Sequence, residues 1–258
     1  MLFSLFKKDL IKFKKETIIF LGLVLIINMF FLYKTYNGWN IESAVAINIF
    51  LFPIAFLIPL LLSGSKLIGQ EWKDNTIYLT MSLPVSSEKI FLSKFLAVTV
   101  QYAVSSLSII AITGIQFLIF FHRSPHAEEM KQLFDIRLFS MGSFFYILSV
   151  AGLIYIISII FLSSLTGKMF KKYSKLVSFG LFFTILIIGG RVIDFIVKSL
   201  QKTMFTVIQG GEYINAEDIM EVLQRVGLGF LETSLILLLL AGIIYFVTCK
   251  IYDKKIEI

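Results

Sequence analysis

The chain has 258 residues, of which 57 % are hydrophobic and 16 % charged, with a net charge of +7 and 27 Phe. Soluble domains average about 45–50 % apolar and roughly 25 % charged residues, so this composition excludes a soluble globular domain and a disordered chain alike. Mean hydropathy is +0.87, which points to a polytopic, all-α membrane protein whose basic excess belongs to loops rather than to a nucleic-acid surface.

Residues 2–15 come first and form a basic amphipathic stretch. At 100° per residue Leu2, Phe3, Phe6, Leu10 and Phe13 fall on one side and Lys8, Lys12 and Lys15 on the other. Such a helix is expected in the headgroup layer, leading into the first span. Crossing about 30 Å of hydrocarbon takes about 20 helical residues. Six runs meet or approach that length, about 17–33, 43–65, 95–121, 138–167, 176–197 and 230–249. They make residues 1–258 a single transmembrane domain. Pro53 and Pro59 sit inside the second run, where each removes a backbone donor and favours a kink. The fifth run is short without charge (Leu176–Gly190), so it must extend past Arg191, end inside a protein-lined cavity or be stabilised by neighbours. Ala44-Val45-Ala46 resembles a signal-peptidase site, but it opens the second span and is read as part of it. Before the sixth span, Asn215 can cap a helix with Glu217 and Asp218 in its first turn. Ile219, Val222, Leu223 and Val226 then follow at helical spacing, so a short amphipathic extracellular helix is expected between spans 5 and 6.

Six spans place both termini on one side, and positive charge chooses that side. The segments on the side of the termini hold 16 Lys and Arg, against 8 on the other. Both termini are therefore expected in the cytoplasm.

No chemistry emerges from the motifs. No G-x-x-x-x-G-K-[ST] loop is present, so the chain is not expected to bind ATP that way. His122 and His126 have i, i+4 spacing, but Pro125 between them disfavours a shared helix, and no metal is expected. Glu128-Glu129 lacks the further His and Arg of a membrane protease and is read as a solvated face. Cys249 is the sole cysteine and cannot form an internal disulfide. Polar residues within or beside the spans are candidates for a pathway or for interhelical contacts: Asn28, Asn48, Thr113, Gln116, Thr184, Arg191 and Asp194. Arg191 and Asp194, at i, i+3, are expected to form an ion pair.

The loop between spans 2 and 3 carries the strongest local pattern. Glu71 to Ser82 can make about three helical turns before Pro84 stops them, and Ser86 or Ser87 can cap the next helix. Trp72 projects among charges, a suitable knob for a soluble partner. Here the sequence resembles the membrane subunit of ABC-2 type ABC transporters. Glu71, Thr76, Leu79, Leu83, Pro84, Val85, Ser86 and Lys94 match the family pattern at its spacing; Asn75 stands in place of its Gly and Thr80 in place of a common Leu. The layout of basic N-terminal helix, six spans and longer outer segment is similar as well.

The resemblance implies a non-enzymatic permease of a bacterial plasma membrane, working as a homo- or heterodimer with a second permease. A separate ABC ATPase subunit would hold the ATP and Mg²⁺; this chain would hold no cofactor and bind no nucleic acid. It implies a coupling contact with the ATPase made by Glu71, Trp72, Lys73, Asp74, Asn75 and Thr76, together with Leu83 and Pro84. Export of amphipathic or antimicrobial peptides, or immunity to them, is the cargo reading; lipid, drug or polysaccharide export, a membrane-embedded enzyme and a non-transport scaffold are the alternatives. Orientation is directly testable. A cysteine at Asn215 should react with an impermeant maleimide from outside the cell and one at Lys171 should not; the reverse labelling would invert the topology.

Overall fold

A computed structural model describes residues 2–37, 41–74, 76–82, 84–121, 136–170, 173–201 and 216–255. Within them the protein is all-helical, and six helices are long and apolar enough to cross a membrane. This is the architecture of a multi-pass membrane protein. The chain divides into two compact units, Met1–Gln132 and Leu133–Ile258.

The first unit holds α1 (Leu2–Tyr36), α2 (Ile41–Leu62), a π-helical turn (Ser63–Gly69), α3 (Gln70–Lys73), α4 (Thr76–Ser82) and α5 (Ser87–Phe121). The basic N-terminal stretch and the first span are one unbroken helix of 35 residues. Its buried stripe is Leu5, Asp9, Phe13, Phe20, Val24 and Asn28. Of the expected apolar side, Phe13 is buried and Phe3 is 72 % exposed, while Asp9 turns inward. The physical reason is that α1 packs along α5, which offers Asp9 polar partners. Phe20, Val24, Leu51, Ala55 and Ile109 form the apolar core between α1, α2 and α5. Tyr102 of α5 is fully buried, with the rings of Phe52 and Phe56 edge-on to it. These aromatics close the α2–α5 seam with favourable T-shaped geometry.

Both prolines of α2 lie inside the helix. The widened turn Ser63–Gly69 comes soon after Pro59. Single π-helical turns of this kind interrupt the regular ladder and re-aim the residues beyond them. Here the residue re-aimed is Glu71.

The second unit holds α6 (Ile136–Lys168), α7 (Ser174–Gln201) and α8 (Ala216–Lys255). α6 is its spine and packs along both other helices. Leu153, Ile157, Ile159 and Phe161 are fully buried. The expected short helix before span 6 is instead the first part of the continuous, 40-residue α8. Nothing in 216–233 breaks a helix as proline would; Gly227 and Gly229 are tolerated, and a Cβ on Gly227 would lie 2.9 Å from the Phe144 ring. α7 extends past Arg191 to Gln201, one of the outcomes its short uncharged run allows. Cys249 is buried.

Small residues set the closest approaches, as expected where lipid leaves no hydrophobic drive between helices. A Cβ on Gly189 would collide with the Tyr155 hydroxyl. That hydroxyl is buried with no hydrogen-bond partner among the described residues. Gly189→Ala should therefore destabilise the protein by about 1–3 kcal/mol, the usual cost of overpacking. Tyr155→Phe removes the obstructing oxygen and no hydrogen bond. It should be neutral or stabilising alone and should restore most of the Gly189→Ala loss, read by thermal unfolding in detergent.

Candidate functional site

The polar residues of the first unit gather at two levels. One lies near the start of α1. Asp9, Glu71 and Lys94 are 1 %, 2 % and 3 % exposed. The Lys94 ammonium donates to Glu71 Oε2 at 2.8 Å and to the Leu67 carbonyl at 3.2 Å, and it lies 3.8 Å from Asp9 Oδ1. From α1, Lys12 donates to Glu71 Oε1 at 2.9 Å and Lys8 at 3.2 Å. The Ser93 hydroxyl donates to Asp9 Oδ2 at 3.1 Å. Lys66 and Glu16 add a further pair between the π-turn and α1. Two carboxylates, on α1 and α3, thus share three ammonium groups drawn from α1 and α5.

Local sequence explains each placement. Asp9 and Lys12 lie one turn apart on α1, so both reach the same neighbour. Ser93 and Lys94 fall in the second turn of α5, whose first turn starts at Ser86: the Lys89 and Ile90 amides donate to the Ser86 carbonyl. Glu71 is turned inward by the widened π-turn before it.

The second level is a chain of side-chain amides. Asn48 Nδ2 donates to Gln116 Oε1 at 2.9 Å, and Gln116 Nε2 donates to Asn28 Oδ1 at 2.8 Å. Asn28 Nδ2 closes on the Val24 carbonyl at 2.8 Å. All three amides are buried. They join α1, α2 and α5 as interhelical contacts. The two threonines expected beside them do something else. Thr113 and Thr184 hydroxyls donate to carbonyls of their own helices, Ile109 and Gly180, which is the default for a helical threonine in an apolar setting. Asp194 takes Lys198, one turn on, at 2.8 Å rather than Arg191. The i, i+4 order of acid before base is the better geometry.

The expected coupling segment is not one helix. It breaks at Asp74, whose amide donates to the Gln70 carbonyl and whose φ, ψ of −88°, 5° end α3. α4 begins at Thr76, its hydroxyl donating back to the Glu71 carbonyl. Glu71 is no surface contact: its carboxylate is taken up by three lysines. Trp72 is half-buried. Lys73, Asp74, Thr76, Leu79, Ser82 and Pro84 are exposed, while Ile77 and Thr80 face inward. α4 is thus two-sided, and Thr76, Leu79 and Ser82 share its outer face. Asn75, Leu83, His122, His126, Glu128, Glu129 and Asn215 lie outside the described residues.

Asp9 was the residue that sequence reasoning passed over. It is the one acid among the lysines of residues 1–15, and that isolation was its signal. Among the described residues no group of three or more His, Cys, Asp or Glu could hold a metal ion. No protein-family model matches the chain, and no curated protein matches it.

Breaking a buried ion pair from one side costs about 3–5 kcal/mol, because the other charge is left uncompensated. Lys94→Met should carry a loss of that order, measured by unfolding in mixed micelles. Glu71→Gln combined with it should recover part of the loss. Simple addition of the two single losses would show that these charges do not act as one unit.

Proposed function

We propose that the chain is the permease subunit of an ATP-driven ABC-2 type exporter, embedded in a bacterial plasma membrane with both termini in the cytoplasm. It does no chemistry of its own. A separate ABC ATPase supplies ATP hydrolysis, and a second permease subunit completes the pathway. Amphipathic peptides are the proposed cargo, as export or immunity.

One observation carries this reading. Between the second and third long helices, α3 and α4 present an exposed outer face while their inner side is tied into the membrane helices. Lys73, Asp74, Thr76, Leu79 and Pro84 offer mixed charge and one exposed apolar side chain to a soluble partner. Behind them, Glu71 bonds Lys12 of α1 and Lys94 of α5. A push on α4 would pass through the Thr76–Glu71 contact into both helices. Coupling of this kind needs a rigid link between two sites with different preferred states. On this reading Glu71 is the anchor of the link and not its contact surface. α7 supports the dimer part of the proposal. It keeps no buried residue along its apolar length, and Leu176, Phe179 and Phe195 are 68–75 % exposed.

A pull-down of the tagged chain from mild detergent tests the proposal. A stoichiometric P-loop ATPase should co-purify. Lys73→Glu with Leu79→Asp should abolish that association and leave the melting temperature unchanged, because both side chains are exposed. Glu71→Gln should lower the melting temperature instead. A chain that emerges without an ATPase, even after crosslinking in the membrane, would overturn the assignment.

A further inference from the structure

Within the second unit α7 packs mainly on α6, and with one side only. Phe182, Leu186 and Ile193 lie against the cluster of Tyr155, Ile159 and Ala241, yet no residue from Ser174 to Lys198 is buried. The other side of α7 is a continuous exposed face. Leu176, Phe183, Ile187, Arg191, Asp194 and Lys198 are all exposed and, at 100° per residue, fall within an arc of about 80°. Gly180 falls in the same arc. A Cβ there would meet nothing within 4 Å, so its missing side chain serves no contact inside the chain and leaves the backbone open to close approach by another helix.

Acyl chains cover the apolar part of such a face well, but they do not suit its charges. The uncharged run Leu176–Gly190 accounts for about 22 Å at 1.5 Å per residue, whereas about 30 Å of hydrocarbon has to be crossed. A crossing that starts at Leu176 therefore takes in Arg191 and Asp194. Ionisable side chains at membrane depth pair with one another or turn to a polar interior. Asp194 has Lys198, one turn on. Arg191 enters no ion pair or hydrogen bond among the described residues. A second copy of the chain supplies what it lacks. Two copies in one membrane share an orientation, and a two-fold axis along the membrane normal sets their α7 helices parallel, with equal residues at equal depth. Arg191 then differs in level from the partner's Asp194 by about 4.5 Å, within reach of an arginine side chain. The axis makes this contact twice, so an acid and a base three residues apart on one face are self-complementary.

We propose that α7 is the surface through which this protein associates with itself. The partner is a second copy of the same chain, held by reciprocal Arg191–Asp194 ion pairs, with Leu176, Gly180, Phe183 and Ile187 packed against their equivalents. This takes up the second-subunit part of the proposed function and commits it to an identical subunit. Its test involves no ATPase. Loss of the ATPase leaves self-association standing, and a chain that does not self-associate leaves a permease of two different subunits standing.

Two differently tagged copies of the full chain, co-expressed, extracted in mild detergent and purified through the first tag, provide the test. Wild-type copies should co-purify. Arg191→Asp in both copies should lower the yield of the second tag about tenfold, because two interhelical contacts worth about threefold each are lost together. Asp194→Arg in both copies should do the same. One Arg191→Asp copy with one Asp194→Arg copy should recover the wild-type yield, since two acids then face two bases at the same levels. A second measurement uses disulfide formation under mild oxidation in the membrane. Ile187→Cys in a Cys249→Ser background should give a linked pair of chains, and Leu239→Cys, which is exposed on α8, should not. Wild-type self-association in the single variants, no recovery in the mixed pair, or linkage through Leu239→Cys and not Ile187→Cys would overturn the proposal. A face covered by lipid or by another part of the same chain gives neither co-purification nor linkage, and that result overturns it as well.

Discussion

The first unit is organised by one requirement: a buried carboxylate must be met by opposite charge and by hydrogen-bond donors. Charges taken out of water lose several kcal/mol of hydration each, and only close, well-placed partners offset that loss. Glu71 and Asp9, almost fully covered, meet it through Lys94, Lys12, Lys8 and Ser93, with Asp9 Oδ1 held by charge alone, 3.7–3.9 Å from three lysines and without a hydrogen-bond donor among the described residues. Satisfying them fixes the depth of α1 against α5, the inward turn of α3, and the rotation of α1 that leaves Phe3 outside. The widened turn after Pro59 belongs to the same solution, since it brings Glu71 round to the lysines.

The amide chain then repeats the device at a second level. From Asp9 to Asn28 along α1 is roughly 28 Å, and from Lys94 to Gln116 along α5 roughly 33 Å at 1.5 Å per residue. Those lengths approach the hydrocarbon thickness of a bilayer. The apolar core of Phe20, Val24, Leu51, Ala55 and Ile109 lies between the two polar levels. Two fixed points suffice to set both the register and the direction of a helix pair. The second unit uses a different device, close approach through small residues, with Gly189 against Tyr155 and Gly167 against Ser178.

Much of this was legible in the sequence because hydropathy acts at the scale of whole helices. The six long helices follow directly from uncharged runs. Asn28, Asn48 and Gln116 stood out as polar residues within the spans, with a pathway role and an interhelical role both open; their hydrogen bonds run between helices. The features that escaped depend on rotation and partner choice, which composition does not encode. The helical wheel of residues 2–15 groups its apolar side chains but says nothing of Asp9, which turns to Ser93 and Lys94 of α5. Thr113 and Thr184 look like Asn28 among the polar residues of the spans; a hydroxyl, unlike an amide, can be satisfied by its own helix. The break at Asp74 depends on a single residue's φ and ψ, and the continuity of α8 on the absence of any strong breaker. Neither produces a periodic signal.

An apolar seal at the Glu71 level would be less costly than five charges, so the charges need a reason. Between membrane helices apolar contact distinguishes poorly among registers, because lipid tails pack as readily as leucine does. A carboxylate shared among ammonium groups on separate helices has few arrangements that leave every charge beside an opposite one and many that strand a charge. Sliding α1 by a single residue would turn Asp9 about 100° away from Ser93 and Lys94. Buried polar groups that select a register at some cost in stability are best attested in this role. The outer face of α4 sits directly on that arrangement through the Thr76–Glu71 bond. Displacement of α4 strains the hydrogen bond from the Thr76 hydroxyl to the Glu71 backbone carbonyl first, a contact worth about 1 kcal/mol, while the charge contacts behind it hold α3, α1 and α5 to one register.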